Sequence, residues 1–203
     1  MEKEKWNHPA FHVKIIERNA DSPHYIQPYT DGSKSEAGVG AGIAIYQDNN
    51  LMSTLEYRLN ERRTNNQAEQ TDILKALERI QSMESSDKIV LIHTDSQITL
   101  QLLQNKKKDT RLIERIRTKI TEMEQHAWTV EFTLIKAHAG HRGNEMADQL
   151  AKEAANNKNI EESYTKIPKS VIINELKENS VKQWQSEWEN TTKGAITKLS
   201  FLK

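Results

Sequence analysis

The chain has 203 residues, 35% hydrophobic and 29% charged, with a formal net charge of zero and no cysteine. That length suits one domain of ordinary size plus a modest appendage, and zero net charge means that any binding to nucleic acid rests on local basic patches rather than a global field. Disulfides and thiolate metal sites are excluded, no apolar run approaches the ~20 residues that span a bilayer, and the amino terminus lacks the apolar stretch of a secretory signal. The expectation is a soluble protein kept inside the cell, nuclear or cytoplasmic and not secreted.

Residues 1–24 read as a lead-in of mixed charge without clear periodicity. From Tyr25 the pattern sharpens. IQPYTDG reads as a strand whose end delivers Asp31, and VGAGIAIYQ as a second strand with Val39, Ala41, Ile43 and Ile45 on one face. Asp48-Asn49-Asn50 marks a turn. LMSTLEYRLN then alternates, with Leu51, Leu55, Tyr57 and Leu59 on a shared face, so these runs predict an antiparallel meander. In NNQAEQTDILKALERI, Ile73, Leu74, Leu77 and Ile80 fall at helical spacing, with Asn65 or Asn66 as the cap. Glu69 precedes Ile73 by four and shares its buried face. KIVLIHTD has no alternation, as expected of a strand covered on both faces, and it leads to Asp95.

A short helix from near Gln97 to near Gln104 is followed by a lysine-rich loop. A longer helix runs over TRLIERIRTKITEMEQHA, with Leu112, Ile113, Ile116, Ile120 and Met123 on its apolar stripe. VEFTLIKAH reads as a fifth strand, and NEMADQLAKEAA as a helix carrying Asp148. The order β-β-β-α-β-α-α-β-α predicts an α/β fold, a mixed five-stranded sheet with helices packed on it, over residues 25–157. Residues 158–203 read as a polar linker and a helical tail starting after Pro168, with Ile173, Leu176, Val181, Trp184 and Trp188 on one face.

Four carboxylates stand out because their settings place them on strand ends and inward helix faces. Two such groups about 4 Å apart repel by roughly 4 kcal/mol at an effective dielectric near 20. A fold keeps such a cluster when divalent cations neutralise it, which points to metal-dependent phosphodiester chemistry.

The motifs TDGS, TNNQAE, TDSQ and GNEMADQLA, in that order, resemble those of the type 1 ribonuclease H family, and the resemblance extends to the element order over about 25–157. It implies a ribonuclease H-like fold in which Asp31, Glu69, Asp95 and Asp148 hold two Mg²⁺ ions (Mn²⁺ being an alternative). Such a pair, ~3.5–4 Å apart, activates a water and stabilises the leaving oxygen of an in-line displacement. The implied reaction cuts the RNA strand of RNA–DNA hybrids and leaves 5′-phosphate and 3′-hydroxyl ends. His138 in KAHAGH matches the family's loop histidine, assisting proton movement or product departure.

Gly32, Ser33, Thr64, Asn65, Asn66 and Gln97 match substrate-binding positions, the amides among them suited to sensing 2′-hydroxyls. His141 completes an HxxH with His138, too little for a metal pair, and is assigned to the surface. Glu145 is read as a favourable acid near a helix start rather than a ligand. Gly140 and Gly143 are expected to let the loop bend.

Where bacterial members carry a basic insertion, this chain has only QNKKKDTR, with Lys106, Lys107, Lys108 and Arg111. Substrate is therefore expected to be held partly by a neighbouring domain or partner, such as a reverse transcriptase. The flanks resemble the end of a non-LTR retrotransposon polyprotein. The competing expectation is an inactive relict that binds hybrid or a partner without cutting; the intact carboxylates favour the enzyme, and the GN-E-x-x-D ending argues against a related DNA-cutting nuclease.

Overall fold

A sheet strand lies where the sequence showed no pattern. In the computed structural model, which describes residues 8–16, 25–85, 88–107, 110–136, 139–163 and 169–190, Pro9–His12 forms a 3-10 helix and Lys14–Ile15 (β1) pairs parallel with Thr129–Leu134 (β6). Val13 is buried, and the Ile16 amide donates to the Phe132 carbonyl at 2.8 Å. Two residues are too short a run to show a period of two, so the expected five-stranded sheet has six strands.

The rest follows the expected order. β2 (Ile26–Ser35), β3 (Gly38–Gln47) and β4 (Asn50–Leu59) form the antiparallel meander. The turn residues Asp48 and Asn49 have φ of 49° and 62°, the left-handed pair that a two-residue hairpin demands and that Asn and Asp tolerate. β5 (Ile89–Thr94) lies parallel between β2 and β6, giving the spatial order β1-β6-β5-β2-β3-β4. One expectation fails within β4. A register shift at Ile45/Tyr46 sets Leu51 opposite Tyr46, whereas Leu55 stands opposite Ile43. Directly opposed residues share a face, so the bulge moves Leu51 off the face of Leu55 and Tyr57 and leaves it 44% exposed.

Helices α1 (Asn65–Gln81), α2 (Gln97–Gln104) and α3 (Arg111–Gln125) cover the main core, in which Ile26, Ile43, Val90 and Ile92 meet Ile73, Leu77, Leu100, Ile113 and Ile116. α4 (Arg142–Asn156) begins two residues before the expected start at Asn144, taking in Arg142 and Gly143, and lies near Tyr29, Ala44 and Tyr46. A Cβ on Gly40 would sit 2.1 Å from the Ala151 carbonyl oxygen, and one on Gly42 2.2 Å from that of Ala147. The missing side chains let α4, with Ala147, Ala151, Ala154 and Ala155 buried, pack directly on β3.

After α4 the chain returns to the sheet margin: Glu162 bridges Arg58, and the Ser163 amide donates to the Arg58 carbonyl at 2.9 Å. Met1–Thr165 forms one compact unit and Lys166–Lys203 a second. Within the second, α5 (Lys169–Asn190) exposes Ile173, Leu176, Val181 and Trp184, and the Trp184 and Trp188 rings stack at 5.5 Å. No helix among the described residues is long and apolar enough to cross a membrane.

Candidate active site

The sheet register sets the first two carboxylates. Thr30 of β2 pairs with Thr94 of β5 in parallel, so Asp31 stands beside Asp95, the first residue past β5. Asp31 lies in the middle of β2 rather than at the strand end expected from the sequence, because the pairing with β3 continues to Ser35. On its other flank Asp31 pairs with Gly42. That glycine lies under Ala147, and the next residue of α4 is Asp148. Glu69 arrives from α1 through another close approach: a Cβ on Gly32 would stand 2.8 Å from the Glu69 amide nitrogen. Gly32, matched above to substrate binding, is thus where α1 crosses β2.

Crowding of like charge is legible in the titration of these groups. Asp31 is pushed up to about 7, by burial first and then by Asp95 and Asp148, against the Gly32 amide that favours its charged form. Burial also raises Glu69, opposed by hydrogen bonds from Ser96 and Asn65. Asn65 Nδ2 donates to Glu69 Oε1 at 2.9 Å, and Ser96 Oγ donates to Glu69 Oε2. Asp148 Oδ2 accepts from Lys152 Nζ at 2.6 Å, and that bond raises the lysine.

A fifth carboxyl lies behind the four. Asp72, one turn along α1 from Glu69, is fully buried and neither oxygen has a hydrogen-bond partner. Burial, then Asp31 and Glu69, push it well above the ordinary carboxylate range, against the opposing pull of the Ile73 amide. Sequence reading missed Asp72, and its polar character on an otherwise apolar helix face was the available signal. It also missed Ser96, although TDSQ contains it, and Lys152.

The donor set is all oxygen and all acidic, the chemistry that hard divalent cations prefer. Among the described residues no three acidic or histidine side chains stand as a ready-made coordination set; Asp148 is turned to Lys152, and Glu69 to Asn65 and Ser96. Burial and the neighbouring carboxylates nevertheless push Asp31 up to about 7, so a divalent ion fits the electrostatics of the cluster.

The other expected residues divide. Thr64, rather than Asn65 or Asn66, caps α1: its hydroxyl accepts from the Gln67 amide at 3.3 Å, while Gln67 Oε1 accepts from the Thr64 amide at 3.3 Å. This reciprocal box is favoured because it satisfies two otherwise orphaned donors. Asn65 is exposed beside Glu69, Asn66 half-buried next to it, and Gln97 exposed at the first position of α2. Ser33 is half-buried on β2, opposite Gly40.

His138 lies outside the described residues, as does Lys108. His141 is exposed at the start of α4, with no side-chain capping bond, and Glu145 is exposed in its first turn. Gly140 has φ of 80° with open space around it, consistent with a bend. Gly143 instead lies inside α4, where a Cβ would meet the Tyr29 ring at 2.3 Å; it is needed for packing rather than loop bending.

Comparisons with known proteins point to one family. The family model for RNase H matches residues 23–156. Ribonuclease H of Mannheimia succiniciproducens is 28% identical over 152 residues, spanning 68% of this chain and 91% of the relative. That of Vibrio cholerae is 31% identical over 146 residues, spanning 65% and 89%. Among solved structures, an RNase H1 isolated from compost superposes with a TM-score of 0.51 at 26% identity, covering 64% of this chain and 98% of that one. The same compost enzyme in complex with an RNA/DNA hybrid gives a TM-score of 0.50 at 24% identity, a likeness of fold, with the same coverage. With its element order, its converging acids and these matches in agreement, the chain belongs to the RNase H family.

Proposed function

We propose that this protein is a type 1 ribonuclease H that hydrolyses the RNA strand of RNA–DNA hybrids, leaving 5′-phosphate and 3′-hydroxyl ends. The observation that carries the reading is the convergence of acids on Asp31, which burial first and then Asp95 and Asp148 push up to about 7. Asp31, Glu69, Asp95 and Asp148 would hold divalent ions, Mg²⁺ or Mn²⁺. When bound, such ions supply an activated water and neutralise charge on the scissile phosphate.

The protein's own groups prepare that site. Asn65 and Ser96 fix the direction of Glu69, and the strand register fixes Asp31 against Asp95. Lys152 Nζ holds Asp148 Oδ2 through a 2.6 Å hydrogen bond. Exposed Asn65 and Gln97, with Thr64 and Asn66 beside Asn65, Gly32 against α1 and Ser33 next to it on β2, offer amide, hydroxyl and backbone groups for the minor groove of the hybrid. His138 assists proton movement or product departure.

The motif series and the flanking tail support an origin in a non-LTR retroelement, and the short basic loop supports the reading that a reverse transcriptase or other domain helps hold substrate. Such a role would be carried out in the nucleus or cytoplasm.

The test is cleavage of a labelled RNA–DNA hybrid with Mg²⁺, beside single-stranded RNA, duplex RNA and duplex DNA. Selective cutting of the hybrid's RNA strand is expected, and Asp95→Asn should abolish it with the fold intact. Hybrid binding without cutting, in both Mg²⁺ and Mn²⁺, would replace this reading with the inactive binding module.

A further inference from the structure

We propose that Thr99 and Ser96 form a hydroxyl relay that positions Glu69 for divalent-metal binding, an inference that rests on the metal-dependent reading above. Ser96 caps α2 and is 5% exposed; Thr99, three residues on, is fully buried. Ser96 Oγ reaches Glu69 Oε2 and lies 2.8 Å from Thr99 Oγ1 and 3.3 Å from the Thr99 amide nitrogen. The Ser96 amide in turn donates to Thr94 Oγ1 at 3.2 Å.

A serine hydroxyl has one proton and two acceptor positions. A carboxylate that ligates a metal is ionised and only accepts, and a charged acceptor outcompetes a neutral one. The Ser96 proton therefore goes to Glu69. Its two acceptor positions take the Thr99 amide and, by elimination, the Thr99 hydroxyl proton.

Every hydrogen-bonding position of Ser96 is then filled, and its proton has one direction. Capping of α2 uses only a lone pair of Ser96, so the bond to Glu69 lies outside what the cap requires. With Asn65 holding Oε1 at 2.9 Å, the relay fixes the second oxygen and sets the plane of the carboxylate. Second-layer partners of this kind restrict ligand orientation and so favour metal binding.

The experiment measures Mg²⁺ affinity of the full chain by calorimetry, alongside the Mg²⁺ dependence of hybrid cleavage and thermal stability. Ser96→Ala should weaken Mg²⁺ binding about 10-fold. Thr99→Val keeps the α2 cap and the methyl packing, and should weaken it about 3-fold, while Thr99→Ser keeps the parent affinity. At saturating Mg²⁺, kcat of the Thr99 variants should return to within about 2-fold of the parent, since the bond is remote from the reacting phosphate. Thr99→Val that loses thermal stability but binds Mg²⁺ like the parent overturns the relay and leaves the enzyme reading standing. A parent chain that binds no Mg²⁺ overturns both.

Discussion

Asp72 carries a cost that its neighbours Asp31 and Glu69 can explain functionally but it cannot. Its carboxyl is raised in the folded chain above its unfolded value, so the native state holds a proton that the unfolded state has released. Stability from that source is present at low pH and is lost as pH rises through the window above 3.8. Asp72→Asn removes the ionisation at nearly constant shape. Its melting temperature relative to the parent should therefore climb between pH 4 and pH 8, and a constant difference would show that Asp72 does not titrate there.

Asp31 obeys the same sign, with its window ending at about 7. A bound divalent cation reverses it by favouring the ionised form. Added Mg²⁺ should raise the melting temperature more at pH 8 than at pH 5; an equal rise at both would separate the metal from this cluster. At this scale the four acids were readable because each sits in a short local motif. Asp72 and Thr99 were not, because their meaning depends on what the sheet and α2 place against them.

Helix α4 shows how an element can position a side chain through what its support lacks. Gly40 and Gly42 allow contact with the α4 backbone, and Gly42 is opposite Asp31 in the sheet. Gly42→Ala forces a methyl group against the Ala147 carbonyl, an overpacking cost of about 1–3 kcal/mol. It should also shift Asp148 away from Asp31, so melting temperature and Mg²⁺ affinity should fall together. A fall in stability alone would mean that α4 moves without carrying the site.

Long periodic elements were legible: α1, α3 and the meander stand where hydrophobic spacing placed them. The misses share a physical cause, namely that they are set across the chain rather than along it. β1 exists because β6 offers it an edge, and Leu51 changes face because of a bulge. Thr64 displaces the two asparagines as cap because Gln67 reciprocates its bond.

At the level of the whole molecule, the unit ending at Thr165 contains all six strands and the four acids. A chain ending at Thr165 should cleave hybrid within about 3-fold of the parent and melt within a few degrees of it, since α5 contributes no residue to the core clusters. Loss of folding in that shortened chain would assign α5 to the core. The sequence marked the polar stretch after Asn156 as a divider, yet it could not show that residues 162 and 163 turn back to Arg58, because a single bridge leaves no periodic trace.

That return contact has a consequence for self-association. β4 is the outermost strand of the meander, ten residues long, with Leu51 and Met52 exposed and no lysine or proline along it. Such an edge is a template on which another copy can extend the sheet. The bridge at Glu162 and the bond from Asn60 Nδ2 to Glu162 Oε2 at 3.1 Å clasp one end of it. Cutting the chain at Asn156 instead of Thr165 removes the clasp, uncovers the whole edge, and should incline the unit to aggregate.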